Sequence, residues 1–304
     1  MPHPQARIDI SIVIINWNVA RLLDGCLASI FQGTEASDSS VEVIVVDNGS
    51  DERDYRQVVE NHPVDRLIEL ETNLGYGAAC NAGAAAARGE ALLLLNPDTF
   101  LLPGSLDLLW NTMQIAPHIG LVAPMLLNRD GTLQSAGYRF PGVANLLFDL
   151  LPLPARLYES PLNGRIHTGN GELPYAIDYA LGAALMIRRS AFEQVGGFDE
   201  SYFMYSEEVD LQRRLADAGW TRLLAPAARI IHLGGQSTSQ RPADMEAALW
   251  QSRARYLQRW SSPGQHRLEK LAVRAATAID DRRNPSNRIR NRHIRGLFSG
   301  GNAG

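Results

Sequence analysis

Three apolar runs break off in polar corners. Ile10-Ser11-Ile12-Val13-Ile14-Ile15 stops at Asn16-Trp17-Asn18, Val43-Ile44-Val45-Val46 stops at Asp47-Asn48-Gly49-Ser50, and Leu92-Leu93-Leu94-Leu95 stops at Asn96-Pro97-Asp98. Runs this apolar at nearly every position, rather than at alternate ones, suit strands covered on both faces in the middle of a parallel sheet. Between the runs the period changes. Leu22, Leu23, Cys26, Leu27, Ile30 and Phe31 recur at helical spacing, a second helix covers Asp54 to Asn61, Arg66 to Leu70 reads as a short strand, and the Ala-rich segment Tyr76 to Arg88 favours helix. A helix begun near Pro103 and a strand near Leu121-Val122-Ala123 continue the alternation. Such alternation predicts an α/β fold with parallel strands joined by right-handed crossovers.

From about Asn128 to Asp178 the pattern loses its regularity, with many Gly and Pro residues among short apolar pieces. Long irregular stretches inside a domain are commonly lids or binding loops. Order returns with a strand at Ala183–Ile187, a short helix from Ser190 to Val195 stopped by Gly196-Gly197, and an amphipathic helix from near Ser206 to Gly219. A final strand, Arg229-Ile230-Ile231-His232, and a helix from about Pro242 to Trp260 close the body.

Composition changes little in this picture. Charged residues are 20% and hydrophobic residues 45% of 304 residues, ordinary for a globular protein. The formal net charge of -4 argues against a nucleic-acid binder. Cys26 and Cys80, the two cysteines, read as reduced structural thiols. No apolar run approaches the ~20 residues needed to span a bilayer, and the N-terminus lacks a secretory pattern, so a cytoplasmic enzyme is the expectation. Charge is uneven in one place. Arg282, Arg283, Arg288, Arg290, Arg292 and Arg295 follow one another without an acid. That stretch reads either as a solvated flexible tail or as a contact for an anionic membrane surface.

The corners carry the chemistry. Ligands of open α/β sheets sit beyond the carboxyl ends of the strands, so three polar corners at three strand ends point to one polar ligand site. Asp47 could accept hydrogen bonds from a base or ribose, although Asp-Asn-Gly-Ser is also good turn chemistry on its own. Asn73-Leu74-Gly75-Tyr76-Gly77 opens a helix, where glycines allow close backbone approach and the helix start favours phosphate. A dinucleotide fingerprint would need a third glycine where Cys80 stands, and would follow the first strand, which argues against an oxidoreductase. Acids in the first turn of the helix after Ser206 (Glu207, Glu208, Asp210) are either dipole partners or an acid-base centre.

Taken together in order, these pieces resemble a family 2 glycosyltransferase of the GT-A fold, in the rhamnosyltransferase-like branch. The likeness runs from about Ile10 to Trp260 and rests on Ser11 to Asn18, Val46 to Ser50, Asn73 to Gly77 with Asn81, Leu95 to Asp98, Gly197-Phe198-Asp199-Glu200, Glu207 to Leu211, and His232-Leu233-Gly234-Gly235.

The resemblance implies a mostly parallel central sheet flanked by helices. It implies a donor half at 8–128, an acceptor and catalytic half at 129–260, and a helical then basic tail at 261–304. It further implies that Asp47 binds the donor's pyrimidine with Asn16, Asn18, Asn48, Ser50, Asn73, Gly75, Asn81, Asn96 and Asp178 nearby. Asn96-Pro97-Asp98 stands where the family has Asp-X-Asp, so Asp98, with His232, is expected to hold Mg²⁺ or Mn²⁺ against the donor diphosphate, and Asn96 replaces the first acid. Glu208 takes the place of the acceptor-activating base, one methylene longer than the usual Asp, with Glu207 beside it and Asp210 orienting Arg213 or Arg214.

The implied reaction is inverting transfer of one sugar, rhamnose from a dTDP donor, to a glycan or lipid-linked acceptor of the cell envelope. A UDP- or GDP-hexose donor and a non-catalytic sugar-nucleotide-binding relative are the alternatives. A nucleotidyltransferase would want a basic Gly-rich loop after the first strand, and Trp17-Asn18-Val19-Ala20-Arg21 is not one. Tyr256-Leu257-Gln258-Arg259-Trp260 lacks the first Gln of the Gln-X-X-Arg-Trp motif of processive synthases, which favours single transfer.

Overall fold

The computed structural model describes residues 7–35, 37–151, 154–158, 160–166, 171–234 and 242–299. Its first half alternates as the hydrophobic pattern predicts. The elements are β1 (Ile10–Asn16), α1 (Ala20–Thr34), β2 (Val41–Asp47), α2 (Asp54–Glu60), β3 (Arg66–Glu69), α3 (Tyr76–Ala86), β4 (Ala91–Leu95), β5 (Thr99–Leu101), α4 (Ser105–Gln114) and β6 (Ile119–Leu127). The irregular stretch holds β7 (Leu133–Gln134), β8 (Gly137–Tyr138), α5 (Val143–Leu150), α6 (Ala155–Tyr158), β9 (Tyr175–Ala176) and β10 (Tyr179–Ala180). Then follow β11 (Ala184–Arg188), α7 (Arg189–Gln194), α8 (Glu207–Asp217), β12 (Thr221–His232), α9 (Pro242–Trp260), α10 (Pro263–Arg283) and α11 (Arg288–Ser299).

The main sheet runs β3-β2-β1-β4-β11-β6-β12-β5. Strands β3, β2, β1 and β4 are parallel, as are β6 and β12. Strand β11 is inserted antiparallel between β4 and β6, and β5 returns antiparallel along the end of β12. The central sheet is thus mostly parallel, as expected, with β11 and β5 running against their neighbours. Apolarity at every position reports burial on two faces, which β11 shares with its parallel neighbours, and carries no strand direction. Burial is as the runs require: β1, β4 and β11 are buried at every position. Cys26 and Cys80 are separate buried thiols.

A second apolar cluster lies apart from the sheet core. Leu146 and Leu150 of α5, Val209 of α8, Trp250, Tyr256 and Leu257 of α9, Val273 and Ala276 of α10, and Ile294 and Phe298 of α11 are packed together in it. Residues 288–299 are therefore not the solvated tail that the run of arginines suggests. They form a helix that buries Asn291, Ile294 and Phe298, because the apolar side chains recur every fourth residue between the arginines.

Candidate active site

The carboxyl ends of β1, β2, β4 and β12 lie on one edge of the sheet, since all four run the same way. The polar corners there are cross-linked. Asn16 Nδ2 donates to Asp47 Oδ1 (2.8 Å), and Asp47 also accepts from the Ser50 amide (2.9 Å) and hydroxyl (2.6 Å). The Ser50 hydroxyl accepts from the Asn18 amide (2.9 Å), and Asn18 exchanges two hydrogen bonds with Asp51 (2.8 and 3.0 Å). Asn18 adopts φ 55°, a left-handed conformation that Asn tolerates better than most residues. The first two corners thus form one preorganised polar face.

Asn48 links the second corner to the 73–75 turn. Its Nδ2 donates to Asn73 Oδ1 (3.0 Å) and the Gly75 carbonyl (3.2 Å), and its Oδ1 accepts from the Leu74 amide (3.0 Å). Gly75 has φ 93°, and a Cβ there would lie 2.3 Å from the Phe203 carbonyl oxygen, so only glycine lets this turn meet the 203 loop. Next along the edge, Tyr76 Oη donates to the Gly182 carbonyl (2.9 Å), and Gly182 lies over the Glu208 side chain. The Asn96 amide donates to the Ala183 carbonyl (3.0 Å), which ties the β4 corner to the same loop.

Asp98 and His232 face each other where β12 ends, with Oδ1 and Nε2 3.6 Å apart. Burial raises the Asp98 carboxyl above its usual range, opposed by the His232 imidazole, and burial lowers His232, opposed by Asp98. Nδ1 of His232 lies 2.8 Å from Gln134 Oε1, a contact that fixes the ring with Nε2 facing Asp98. Gln134 sits on β7 in the stretch that shows no period in sequence, and nothing there marks it out. Gly235, the last residue of the His232 motif, lies outside the described residues.

Glu207 and Glu208 open α8. The two residues before them, Tyr205 (φ 67°) and Ser206 (φ 63°), are both left-handed, the strained backbone that functional loops retain. Neither Glu207 Oε2 nor Glu208 Oε2 has a hydrogen-bond partner among the described residues. Burial raises both carboxyls. Glu207, which also feels Glu208, goes well above its usual range, and Glu208 is pushed up to about 7. A base poised near neutrality is what proton abstraction from a hydroxyl needs. Glu208 borders a cavity of about 200 Å³ walled largely by apolar and aromatic side chains, among them Leu146, Tyr179, Tyr256 and Leu257, with Asn145 and Arg253 as polar members.

Other expected residues are structural in position. Asp210 is fully buried and receives Arg214 Nε (2.8 Å) and Trp260 Nε1 (2.9 Å), so of its two expected partners it is Arg214 that it orients. Asn81 is engaged with the loop after α7. Its amide bonds the Phe198 backbone at both ends (2.9 and 3.0 Å) and Glu200, pinning that loop to α3. Asp178 accepts from the Phe140 amide (3.0 Å) and holds the 138–140 segment. Gln212, on which the sequence reading is silent, clamps β10 to α8 through the Ala180 amide and carbonyl (both 2.8 Å) and the Glu208 carbonyl (3.0 Å).

A mixed sheet with polar strand ends along one edge and an acid pair at a facing helix start defines a GT-A glycosyltransferase fold. Solved structures agree. GalNAc-T7 with UDP, GalNAc and Mn²⁺ superposes with a TM-score of 0.61 at 16% identity, over 97% of this chain and 56% of that one. The mannosyltransferase PcManGT of Pyrobaculum calidifontis with GDP-Man and Mn²⁺ gives 0.58 at 17%, over 98% and 86%. The family model for glycosyl transferase family 2 matches residues 11–196, and the chain belongs to that family. It is 33% identical over 250 residues to the N-acetylglucosaminyl-diphospho-decaprenol L-rhamnosyltransferase of Mycobacterium tuberculosis, spanning 78% of this chain and 80% of the relative. It is 38% identical over 216 residues to the rhamnosyltransferase WbbL of Escherichia coli K12, spanning 68% and 78%. The protein is a family 2 glycosyltransferase of the rhamnosyltransferase-like kind.

Proposed function

We propose that this enzyme moves one rhamnose from dTDP-rhamnose, with inversion, to a lipid-linked or glycan acceptor during cell-envelope polysaccharide synthesis, working at the cytoplasmic side of the membrane. The observation that carries this reading is the single sheet edge that holds Asp47 with its Asn16 and Ser50 partners and Asp98 with His232, with Glu208 at the start of α8, its Oε2 without a hydrogen-bond partner among the described residues, linked to that edge through Gly182 and Tyr76. The similar rhamnosyltransferases support the choice of sugar and of a diphosphate-linked acceptor.

In this reading residues 8–128 hold the donor and 129–260 the acceptor. Asp47, held rigid by Asn16 and Ser50, presents its remaining lone pairs to the nucleoside, and Asn18, Asn48, Asn73 and Gly75 shape the floor beside it. Glu208 accepts the proton of the acceptor hydroxyl as that oxygen attacks the anomeric carbon, and the bond to the nucleoside diphosphate breaks on the opposite side. Glu207, protonated because two buried carboxylates so close do not both ionise, keeps the pair at a single negative charge. The cavity beside Glu208 excludes water from the attacking hydroxyl.

Asp98 and His232 fit a divalent cation. One hard carboxylate oxygen and one imidazole nitrogen face each other, and the imidazole is oriented by Gln134. Mg²⁺ is commonly held by one or two protein groups with substrate phosphates completing its shell. Such an ion, when bound, neutralises charge on the departing diphosphate.

The test is a thermal-shift panel of dTDP-rhamnose, UDP-hexoses and GDP-hexoses with and without Mn²⁺, followed by transfer assays to a diphosphate-linked N-acetylglucosamine acceptor. We expect dTDP-rhamnose to give the largest shift and the product, since a ligand of the folded state raises its melting temperature by mass action. A Mn²⁺ increment that disappears in Asp98→Asn and His232→Ala is the expected sign of the metal. Turnover of a UDP- or GDP-hexose in place of dTDP-rhamnose overturns the choice of donor, and no turnover of any donor overturns the enzyme reading.

A further inference from the structure

The outward face of the C-terminal helices carries a surface that the reaction does not use. Along α10, Leu268, Leu271, Ala275 and Ile279 are spaced three, four and four residues apart and form one stripe. Leu268 is 57% exposed, Leu271 60% and Ile279 39%, and Ile289 at the start of α11 is 82% exposed. Isolated exposed apolar residues need no explanation, but a stripe along one helix is a patch. Its surroundings are cationic. Arg267, Arg274, Arg282, Arg283, Arg288 and Arg292 are all exposed.

The three acids of residues 263–299 are each held by other side chains. Glu269 is buried against Ser261 and His266, Asp280 is held by Asn284, Asn287 and Asn291, and Asp281 by Asn291 and Arg295. Arg290 and Arg295, which the run of arginines in the sequence includes, are themselves paired with Glu246 and Asp281. Arg267, Arg274, Arg282, Arg283 and Arg292 are exposed and make no ion pair among the described residues, while Arg288 lies within electrostatic reach of Asp281.

We propose that the α10–α11 face docks on an anionic lipid bilayer, with the apolar stripe entering the headgroup boundary and the arginines contacting lipid phosphates. A helix with an apolar stripe edged by arginine is suited to lie in that interface. The charge is complementary to a leaflet rich in acidic lipid, which attracts each surface cation by about 1 kcal/mol. Position agrees. Helix α10 packs along α5, and α5 supplies Asn145 and Leu146 to the cavity beside Glu208, so one helix separates the docked face from the wall of the acceptor cavity. The lipid-linked acceptor gives this placement its purpose, and to that extent the inference rests on the proposed function.

Sedimentation of the full chain with vesicles tests it. We expect binding to phosphatidylcholine mixed with phosphatidylglycerol, weak binding to phosphatidylcholine alone, and loss of binding in high salt. Arg267→Ala with Arg274→Ala should weaken partition about thirty-fold, from the free energy per cation given above. Leu268→Ser with Leu271→Ser should weaken it at least about ten-fold through lost apolar burial. Both variants should retain the thermal shift with nucleotide sugar, which keeps this result separate from the donor reading. A chain that stays in the supernatant with anionic vesicles at low salt overturns the proposal. So does a concentration-dependent dimer, seen by analytical ultracentrifugation and abolished by the leucine changes, because the patch is then covered by a second copy.

Discussion

At the scale of single residues, the acid pair at the start of α8 sets the chemistry and its pH dependence. Glu208 has to lose its proton to act, and burial pushes it up to about 7. kcat/KM should therefore rise roughly ten-fold per pH unit below about pH 7 and level off above it. Glu208→Gln should lower turnover by about 10²- to 10⁴-fold with donor-induced stabilisation intact, and near-normal turnover would remove the assignment. The same burial makes a claim about stability. A carboxyl whose folded pKa is raised binds more protons folded than unfolded between its ordinary value and about 7, so it costs stability progressively as pH rises through that window. Glu208→Gln removes that cost. Its melting temperature should exceed that of the unmodified chain by several degrees at pH 8, with a smaller difference at pH 5, by calorimetry at both values. A variant no more stable at pH 8 would show that the carboxylate is solvated. The position of Glu208 is legible in the sequence through its motif, but its raised pKa is not, because an acid in a first helical turn looks the same whether it meets a helix dipole or a buried cavity.

At the scale of elements, the corners are more than ends of strands. Asn48 ties β2 to the 73–75 turn, Gly75 seats that turn against the 203 loop, and Gly182 closes over Glu208, so donor corner and base are linked by direct contacts. Gly75→Ala tests that linkage. Its Cβ would meet backbone, which cannot swing aside, and φ 93° is itself unfavourable for alanine. We expect a loss of about 2–4 kcal/mol by denaturant unfolding. Turnover should fall more than donor affinity, because the 203 loop leads directly into Glu207 and Glu208. A variant of unchanged stability would mean that the turn and loop are independent. The strand corners could be read from sequence because apolar runs and turn residues are local signals. The bonds of Asn81 to the Phe198 backbone, 117 residues away, and of Gln212 to Ala180 are not legible in the sequence, because they join segments far apart along the chain. The antiparallel β11 hid its direction behind the burial it shares with parallel neighbours.

At the scale of the molecule, two apolar cores meet around the site. The sheet core was legible, since continuous Val, Ile and Leu runs say where it lies. The second core was not, because it is assembled from single residues of α5, α8, α9, α10 and α11, and in sequence the last helix shows mainly its arginines. That core decides whether the C-terminal helices are an appendage or part of the acceptor half. Phe298 makes the question answerable. It is buried at the end of α11 beside a cluster that includes Val209, one residue beyond Glu208, and Tyr256 of the cavity wall. Truncating a buried Phe to Ala typically costs about 3–5 kcal/mol, and a position near a helix end belongs at the lower limit. For a chain of this size that corresponds to a fall in melting temperature of about 5–10 °C. We expect that fall in Phe298→Ala, together with a raised KM for the acceptor and an unchanged thermal shift with the donor, because the donor corners sit on the other core. A fall within a degree would show that residues beyond Trp260 are dispensable to the fold. A full fall with acceptor KM unaltered would separate the second core from acceptor binding and leave the cavity beside Glu208 to α5 and α9 alone.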